Sequence, residues 1–160
     1  MSDILFDEAI LNGIPYTNGR WKEIAIHDEL NIKGFFGEKY RFLSNFEPCN
    51  IYGFPSVENA YMAGKIVPSE REFFKTCSPR DAKKMWRKFT ALDKTAEEWD
   101  ARKLNVMARC VFEKFLANEE LRAKLLETGD KRLEELNWWK DIFWGVDVKL
   151  GGQNNLGKIL

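Results

Sequence analysis

The sequence predicts an α+β fold: a compact, mainly helical single domain with a small sheet. Three observations carry the prediction. One long stretch, 96–117, repeats apolar residues at helical spacing. Two shorter stretches open with a serine beside a proline, which starts helices at Ser56 and Ser78. The remaining apolar runs are short and lie between Gly- and Asn-rich turns, as small strands do. With 160 residues the chain fits one domain, and residues 1–32 read as a variable N-terminal part of it.

The elements follow in order. Asn12-Gly13 and Asn18-Gly19 are turn signals. Trp21–Ile26 and Ile32–Phe36 are strand candidates, and His27 between them is a turn residue. Phe42-Leu43-Ser44-Asn45-Phe46 pins two polar residues between apolar ones, and Glu47-Pro48 stops any central strand. Cys49–Phe54 reads as a short strand. Pro55 and Ser56 then open a helix that runs to about Ile66, before Pro68. Glu58 lies in its first turn, where free N–H groups and the positive helix end favour an ionised carboxylate. Glu58, Met62 and Lys65 share one face; Val57, Ala60, Tyr61 and Gly64 share the other, assigned to the core. Small groups at 60, 63 and 64 allow close approach of a second helix or a ligand. Two readings of Glu58 stand at this point: a site residue, or a helix-start acid on a solvated surface.

Glu70–Thr76 makes another short helix. Ser78, Pro79 and Asp81 fall at the N-cap, first and third positions of the next, which runs through Phe89. Its Arg80, Lys83, Lys84, Arg87 and Lys88 form a solvated basic face or a rim for phosphate, and Ala82, Met85, Trp86 and Phe89 can bury. In the helix from Ala96 to Ala117 the stripe Leu104, Ala108, Val111, Phe115, flanked by Met107 and Phe112, reads as core. Asn118 ends it; Glu119–Glu127 forms a short antiparallel partner closed by Thr128-Gly129. Leu133–Leu136 is a brief strand or turn. In 137–145 four large aromatics bracket Asp141. The polar string Gly151–Gly157 is a loop suited to hydrogen-bonding a ligand, and leaves little room for a further element.

Composition narrows the chemistry. Lys plus Arg number 25 and Asp plus Glu 25, so no global field draws in nucleic acid or membrane. Three cysteines match no zinc spacing, consistent with free thiols. A single histidine, His27, excludes a His-based metal cluster. No apolar run has transmembrane length and no signal peptide opens the chain, which points to the cytoplasm. There is no Walker or G-x-G-x-x-G glycine pattern. The remaining catalytic groups are carboxylates, lysines and arginines, a set compatible with acid–base hydrolysis at a sugar carbon. Glu58 and Asp141 are the best-placed acids. Trp99, Trp139 and Trp144 stack on a base or fill the core.

Phe42–Phe46, then Pro55-Ser56-Val57-Glu58-Asn59-Ala60-Tyr61 with Lys65, resemble the NADAR family of YbiA-like N-glycosidases. Ser78-Pro79 with 82–85 and Arg87, Trp99 with Arg102, Met107 and Lys114-Phe115, Leu125-Leu126-Thr128-Gly129, Asp141 with Trp144-Gly145, and Gly152-Asn154-Leu156-Gly157 continue it in the same order, from about residue 33 onwards. The resemblance implies an N-glycosidase without metal or cofactor. Its expected substrates are phosphorylated ribosylamino-pyrimidines of riboflavin synthesis or ADP-ribose on guanine, with ADP-ribosylated DNA as a partner of related members. It places function at Glu58, Trp99 and Asp141. Lys65, Lys84 and Arg87 become candidate phosphate contacts, with Asn45 and Asn154 fixing the substrate. The chain departs from the family pattern at Asn59 for histidine, Gly64 for glutamine and Trp86 for glycine. Two other functions compete: hydrolysis elsewhere in ADP-ribose, and a catalytically silent ADP-ribose or nucleotide reader.

Overall fold

The computed structural model describes residue 27, residues 29–35 and residues 37–160. The strand expected over Trp21–Ile26 lies outside the described residues. The described chain divides into two compact units. One is Asn45–Ala123; the other joins residues up to Ser44 with Lys124–Leu160.

The Asn45–Ala123 unit is helical. α1 spans Val57–Ala63, α2 Phe73–Thr76, α3 Pro79–Met85 and α4 Ala96–Ala117. Single 3-10 turns occupy Pro68–Glu70 and Trp86–Lys88. The helix starts are set by local side chains. Ser56 Oγ accepts from Asn59 N, and Ser78 Oγ accepts from Asp81 N with Pro79 at the first helical position. Thr95 Oγ1 likewise accepts from Glu98 N, while Glu98 Oε2 accepts from Lys94 N. Cys49–Phe54 is a tight turn rather than a strand, with only Ile51 bridged to Phe54.

Every residue of α1 is buried, Glu58 and Met62 included. The solvated-surface reading of Glu58 therefore fails, and α1 has no outer face. It packs against α3, α4 and α2. The helix ends at Ala63, short of Ile66, and Gly64 beyond it meets α4: a Cβ there would lie 2.8 Å from Val106 Cγ1. The close approach foreseen from the small residues at 60, 63 and 64 is thus made by a helix.

The α4 stripe is rotated from the expected one. Met107, Cys110, Val111, Lys114 and Phe115 are buried, whereas Leu104 is 43% and Phe112 66% exposed. The apolar residues of α4 outnumber what one face can bury, so spacing alone did not select the buried set.

The second unit carries the strands. β1 (Asn31–Lys33) pairs in parallel with β2 (Arg132–Glu134), Ile32 opposite Leu133. β3 (Leu136–Asn137) pairs in parallel with β4 (Val146–Asp147). A 3-10 turn covers Arg41–Leu43. His27 bridges to Ile32, and its ring meets Tyr40 edge-on at 4.6 Å. α5 (Glu119–Glu127) buries none of its residues and runs from one unit into the other. Where little room for an element was expected, a short α6 forms at Asn155–Ile159. Helices together with two small parallel pairs make the α+β class. Among the described residues no helix is long and apolar enough to cross a membrane.

Candidate functional site

Within the Asn45–Ala123 unit, four of the residues singled out in the sequence come together around α1. Glu58 N donates to Asn45 O at 3.0 Å, and Asn45 Nδ2 reaches Met107 Sδ on α4 at 3.5 Å. The Phe42–Phe46 segment thereby contributes a backbone acceptor at the helix start, and Asn45 sets the first turn in which Glu58 sits. Two turns on, the Lys65 ammonium lies in a box of rings. Its Nζ is 4.2 Å from the centre of the Trp86 indole, 5.3 Å from that of Trp99 and 5.4 Å from that of Tyr61. Tyr61 and Trp99 themselves touch at 5.4 Å.

This box controls the charge on Lys65. Burial lowers its pKa to about 8; the Glu58 carboxylate works against that, while Arg87, Lys103 and Lys83 add to it. A lysine so placed is a substantial fraction neutral near pH 8, so it can accept a proton or attack as a nucleophile, which an ordinary lysine does poorly. Arg87 lies 4.7 Å from the same Trp86 ring and is exposed, a cation at the mouth of the box. Lys84 is exposed on the last turn of α3.

Trp99 is braced from behind. Arg102, one turn on along α4, lies 5.3 Å from its ring, holds Asp93 through two hydrogen bonds and donates from Nη2 to Gly64 O. Tyr61 and Trp86, both part of the box, were not singled out as site residues. Tyr61 reads as a core residue in the sequence, and Trp86 as a residue of the basic helix that can bury and as a departure from the family pattern. The rings come from three separate segments, so no local signal joins them.

Two of the family departures are accounted for by packing. The Asn59 side chain is fully buried. Its Oδ1 accepts from Ser56 Oγ at 2.6 Å, and its Nδ2 donates to Phe74 O and Cys77 O, both at 2.9 Å. It ties the start of α1 to the end of α2. Gly64 leaves room for Val106.

In the other unit, Asp141 sits at the centre of the connection between β3 and β4. Eight residues are short for a parallel crossover, which normally needs a dozen or more, and side chains at both strand ends hold it. Asn137 Nδ2 donates to Asp141 O at 2.9 Å and Asn137 Oδ1 accepts from Asp141 N at 3.1 Å. Asp147 Oδ2 accepts from Lys140 N at 2.9 Å. Asp141 Oδ1 in turn accepts from Phe143 N and Trp144 N. One carboxylate oxygen thus serves the turn, and Oδ2 has no hydrogen bond among the described residues. Gly145 is required beside it, because a Cβ there would strike Glu135.

Trp139 meets Trp138 edge-on at 4.9 Å and Trp144 meets Phe143 at 4.7 Å; both tryptophans are half-buried. Asn154 is buried, in the left-handed region at φ 54°, and engaged at both ends: Oδ1 accepts from Glu135 N and Nδ2 donates to Leu133 O. Asp147 is the organiser that sequence reasoning missed. Burial would raise its pKa, but hydrogen bonds from Lys149, Leu150 and Lys140 N–H and the Lys140 charge outweigh that, and the net shift is downward.

Among the described residues no group of three His, Cys, Asp or Glu could hold a metal ion.

Comparison with known proteins bears on this arrangement. The chain is 33% identical over 132 residues to an N-glycosidase of Nostoc punctiforme, covering 77% of this chain and 83% of that protein. It is 35% identical over 129 residues to a riboflavin biosynthesis protein of Vibrio vulnificus, of which the match spans 34%. The N-glycosidase YbiA of Escherichia coli is 30% identical over 129 residues, 77% of this chain and 79% of YbiA. The NMR structure of E. coli YbiA superimposes with a TM-score of 0.67 at 28% identity, over 85% of this chain and 83% of that one. The family described as NADAR domain matches residues 33–160, which hold both candidate carboxylates, Lys65 and its ring box; the chain belongs to that family.

Proposed function

We propose that this chain is an N-glycosidase. It would hydrolyse the bond between C1 of a phosphorylated ribose or ADP-ribose and a nitrogenous base: a ribosylamino-pyrimidine of the riboflavin pathway, or ADP-ribosylated guanine. The observation that carries the reading is the buried Glu58 acting electrostatically on Lys65, which is boxed by Tyr61, Trp86 and Trp99. Cleavage develops positive charge at the sugar and negative charge on the leaving base. A dehydrated carboxylate stabilises the first far better than one in water. Lys65, with a pKa of about 8, is matched to giving or taking a proton near neutrality. That suits it to the reacting centre better than to clamping phosphate. Arg87, at the mouth of the box, is the better phosphate contact of the two. Asp141 is the second proposed acid, acting through the oxygen not used in its turn. The similarity to proteins named as N-glycosidases supports the bond class; the substrate within that class is our proposal.

The test is direct. The protein is incubated with a ribosylamino-pyrimidine phosphate and with ADP-ribosyl-guanosine, and release of the free aminopyrimidine from the first and of guanosine with ADP-ribose from the second is followed. Glu58→Gln and Asp141→Asn are run beside it. Release from either substrate, lost in Glu58→Gln, supports the proposal. Binding of ADP-ribose with no cleavage of either substrate would instead make the chain a reader.

A further inference from the structure

We propose that Trp86 is the positioning residue of this site: it keeps water off Lys65 and holds Arg87 on the same ring. The geometry is specific. Of the three rings around Lys65, Trp86 is the nearest, at 4.2 Å, and it is also the ring on which Arg87 rests, at 4.7 Å. One indole therefore serves two cations that repel each other. Trp86 opens the 3-10 turn that follows α3, so the main chain places its ring and Arg87 consecutively.

The charged groups around Lys65 come from each element that packs there. Glu58 on α1 favours its protonated form. Arg87 on the 3-10 turn, Lys83 on α3 and Lys103 on α4 disfavour it. The phenol of Tyr61 on α1 and the Arg102 guanidinium behind Trp99 complete the set. The rings act in two opposite senses. Their faces attract the ammonium, but their bulk excludes the water that would stabilise it more. Burial is the leading cause of the low pKa, so removing the nearest ring lets water in and moves the titration of Lys65 upward.

Assigning Lys65 to the reaction rests on the function proposed above; its titration does not. The experiment therefore has two arms. In the first, lysine labelled with carbon-13 at Cε is titrated by NMR without substrate, in the unaltered protein, Trp86→Gly, Trp86→Gln and Trp86→Phe. The Lys65 midpoint is expected near 8 in the unaltered protein and in Trp86→Phe. It should rise by at least about one pH unit in Trp86→Gly and Trp86→Gln. Trp86→Gln keeps a side chain and the ordinary backbone but lacks the ring and most of its bulk, and it reads the same point if the glycine variant does not fold. In the second arm, base release is followed against pH. With the neutral amine of Lys65 as the acting form, a rise of one unit from about 8 cuts that form about eightfold at pH 7.5, so kcat should drop about eightfold there in the ring-less variants. It should recover toward pH 9.5, with KM little changed. A merely structural role would lower the rate equally at every pH. A folded Trp86→Gly or Trp86→Gln whose Lys65 midpoint stays near 8 overturns the proposal. A shifted midpoint with no glycosidase activity in any form would leave the role of Trp86 intact and overturn the function proposed for the site.

Discussion

Arg102 grips Asp93 with two parallel hydrogen bonds, Nε to Oδ1 at 2.9 Å and Nη2 to Oδ2 at 2.7 Å. The same Nη2 donates to Gly64 O at 3.1 Å, at the end of α1. The guanidinium hydrogen bonds hold the Asp93 carboxyl below the usual range, and Asp93 holds Arg102 above its own. Arg102 also supports Trp99 from behind. A lysine could keep the charge but not the fork. Arg102→Lys should therefore cost about 1 kcal/mol, since the pair is partly solvated. A urea double-mutant cycle with Asp93→Asn should show non-additivity of similar size. Strict additivity would mean that the two side chains do not act as a unit.

Asn59 offers a larger effect. Replacing it by alanine leaves Phe74 O and Cys77 O without their donor in a fully buried place. An unsatisfied buried acceptor costs about 1–3 kcal/mol, so Asn59→Ala should lose about 2–4 kcal/mol in denaturant unfolding. Asn59→His tests the family residue. If it unfolds at the same denaturant concentration as the original, a histidine makes the same ties and the asparagine is not a structural departure.

Gly64→Gln restores the other family residue at a site where Val106 already stands. Overpacking of this kind typically costs about 1–3 kcal/mol. The companion change Val106→Ala should recover most of that loss in a thermal melt. Failure of the rescue would place the conflict elsewhere, for instance at Tyr61 O, 3.1 Å from the added Cβ.

These features differ in how far the sequence announces them. The helix starts at Ser56 and Ser78 are legible because the cap hydroxyl and the N–H that donates to it lie within four residues. The Thr95–Glu98 pair obeys the same rule and could have been read the same way. Glu58 and Trp99 stand out by residue type and setting, whereas Lys65 and Arg87 enter as candidate phosphate contacts through the family resemblance. The ring box is not legible, because Tyr61, Trp86 and Trp99 belong to separate segments and meet only in the folded unit. The pairing of β1 with β2 joins residues about a hundred positions apart, a distance over which local pattern says nothing. Asn154 and Asp147 show a further limit. A polar residue in a Gly- and Asn-rich string looks the same whether it waits for a ligand or ties backbone, and here both tie backbone.

Lys114 is 1% exposed, and burial lowers its pKa to about 8, with Cys49 and Glu47 acting the other way. An unfolded lysine titrates near 10.4. Between these values the unfolded chain binds more protons, so stability from this group rises with pH, by up to about 1.4 kcal/mol per unit. Lys65 contributes in the same sense. Cys110, pushed up to about 12 by burial, opposes both once unfolded thiols ionise. Comparing Lys114→Met with the original protein removes that opposing part. The stability of the variant should rise less, or fall, between pH 8 and 10. Parallel curves would show that Lys114 has the same proton affinity folded and unfolded.

Asp147 gives the acid-side counterpart and links stability to the candidate acid. Its carboxylate accepts from Lys140 N, Lys149 N and Leu150 N while only 3% exposed. Those bonds win over burial, and the folded pKa lies below the ordinary value. The sign follows from proton counting. Above the unfolded pKa of about 3.9 both states are ionised and the full stabilisation is present. As pH falls through the depressed folded value, the unfolded chain has already taken up its proton, and the stabilisation is lost. Asp147→Asn should flatten this acid limb and cost about 2–4 kcal/mol at pH 7, because charge-assisted bonds to backbone are replaced by neutral ones and one accepting carboxylate oxygen is replaced by a donating NH2. The same change frees Lys140, whose φ of 66° needs an anchor, and with it the turn that presents Asp141. Base release should then fall through kcat at every pH where the variant is folded. If Asp147→Asn loses stability but keeps full kcat, the turn around Asp141 does not contribute to the reaction, and Asp141 is not its acid.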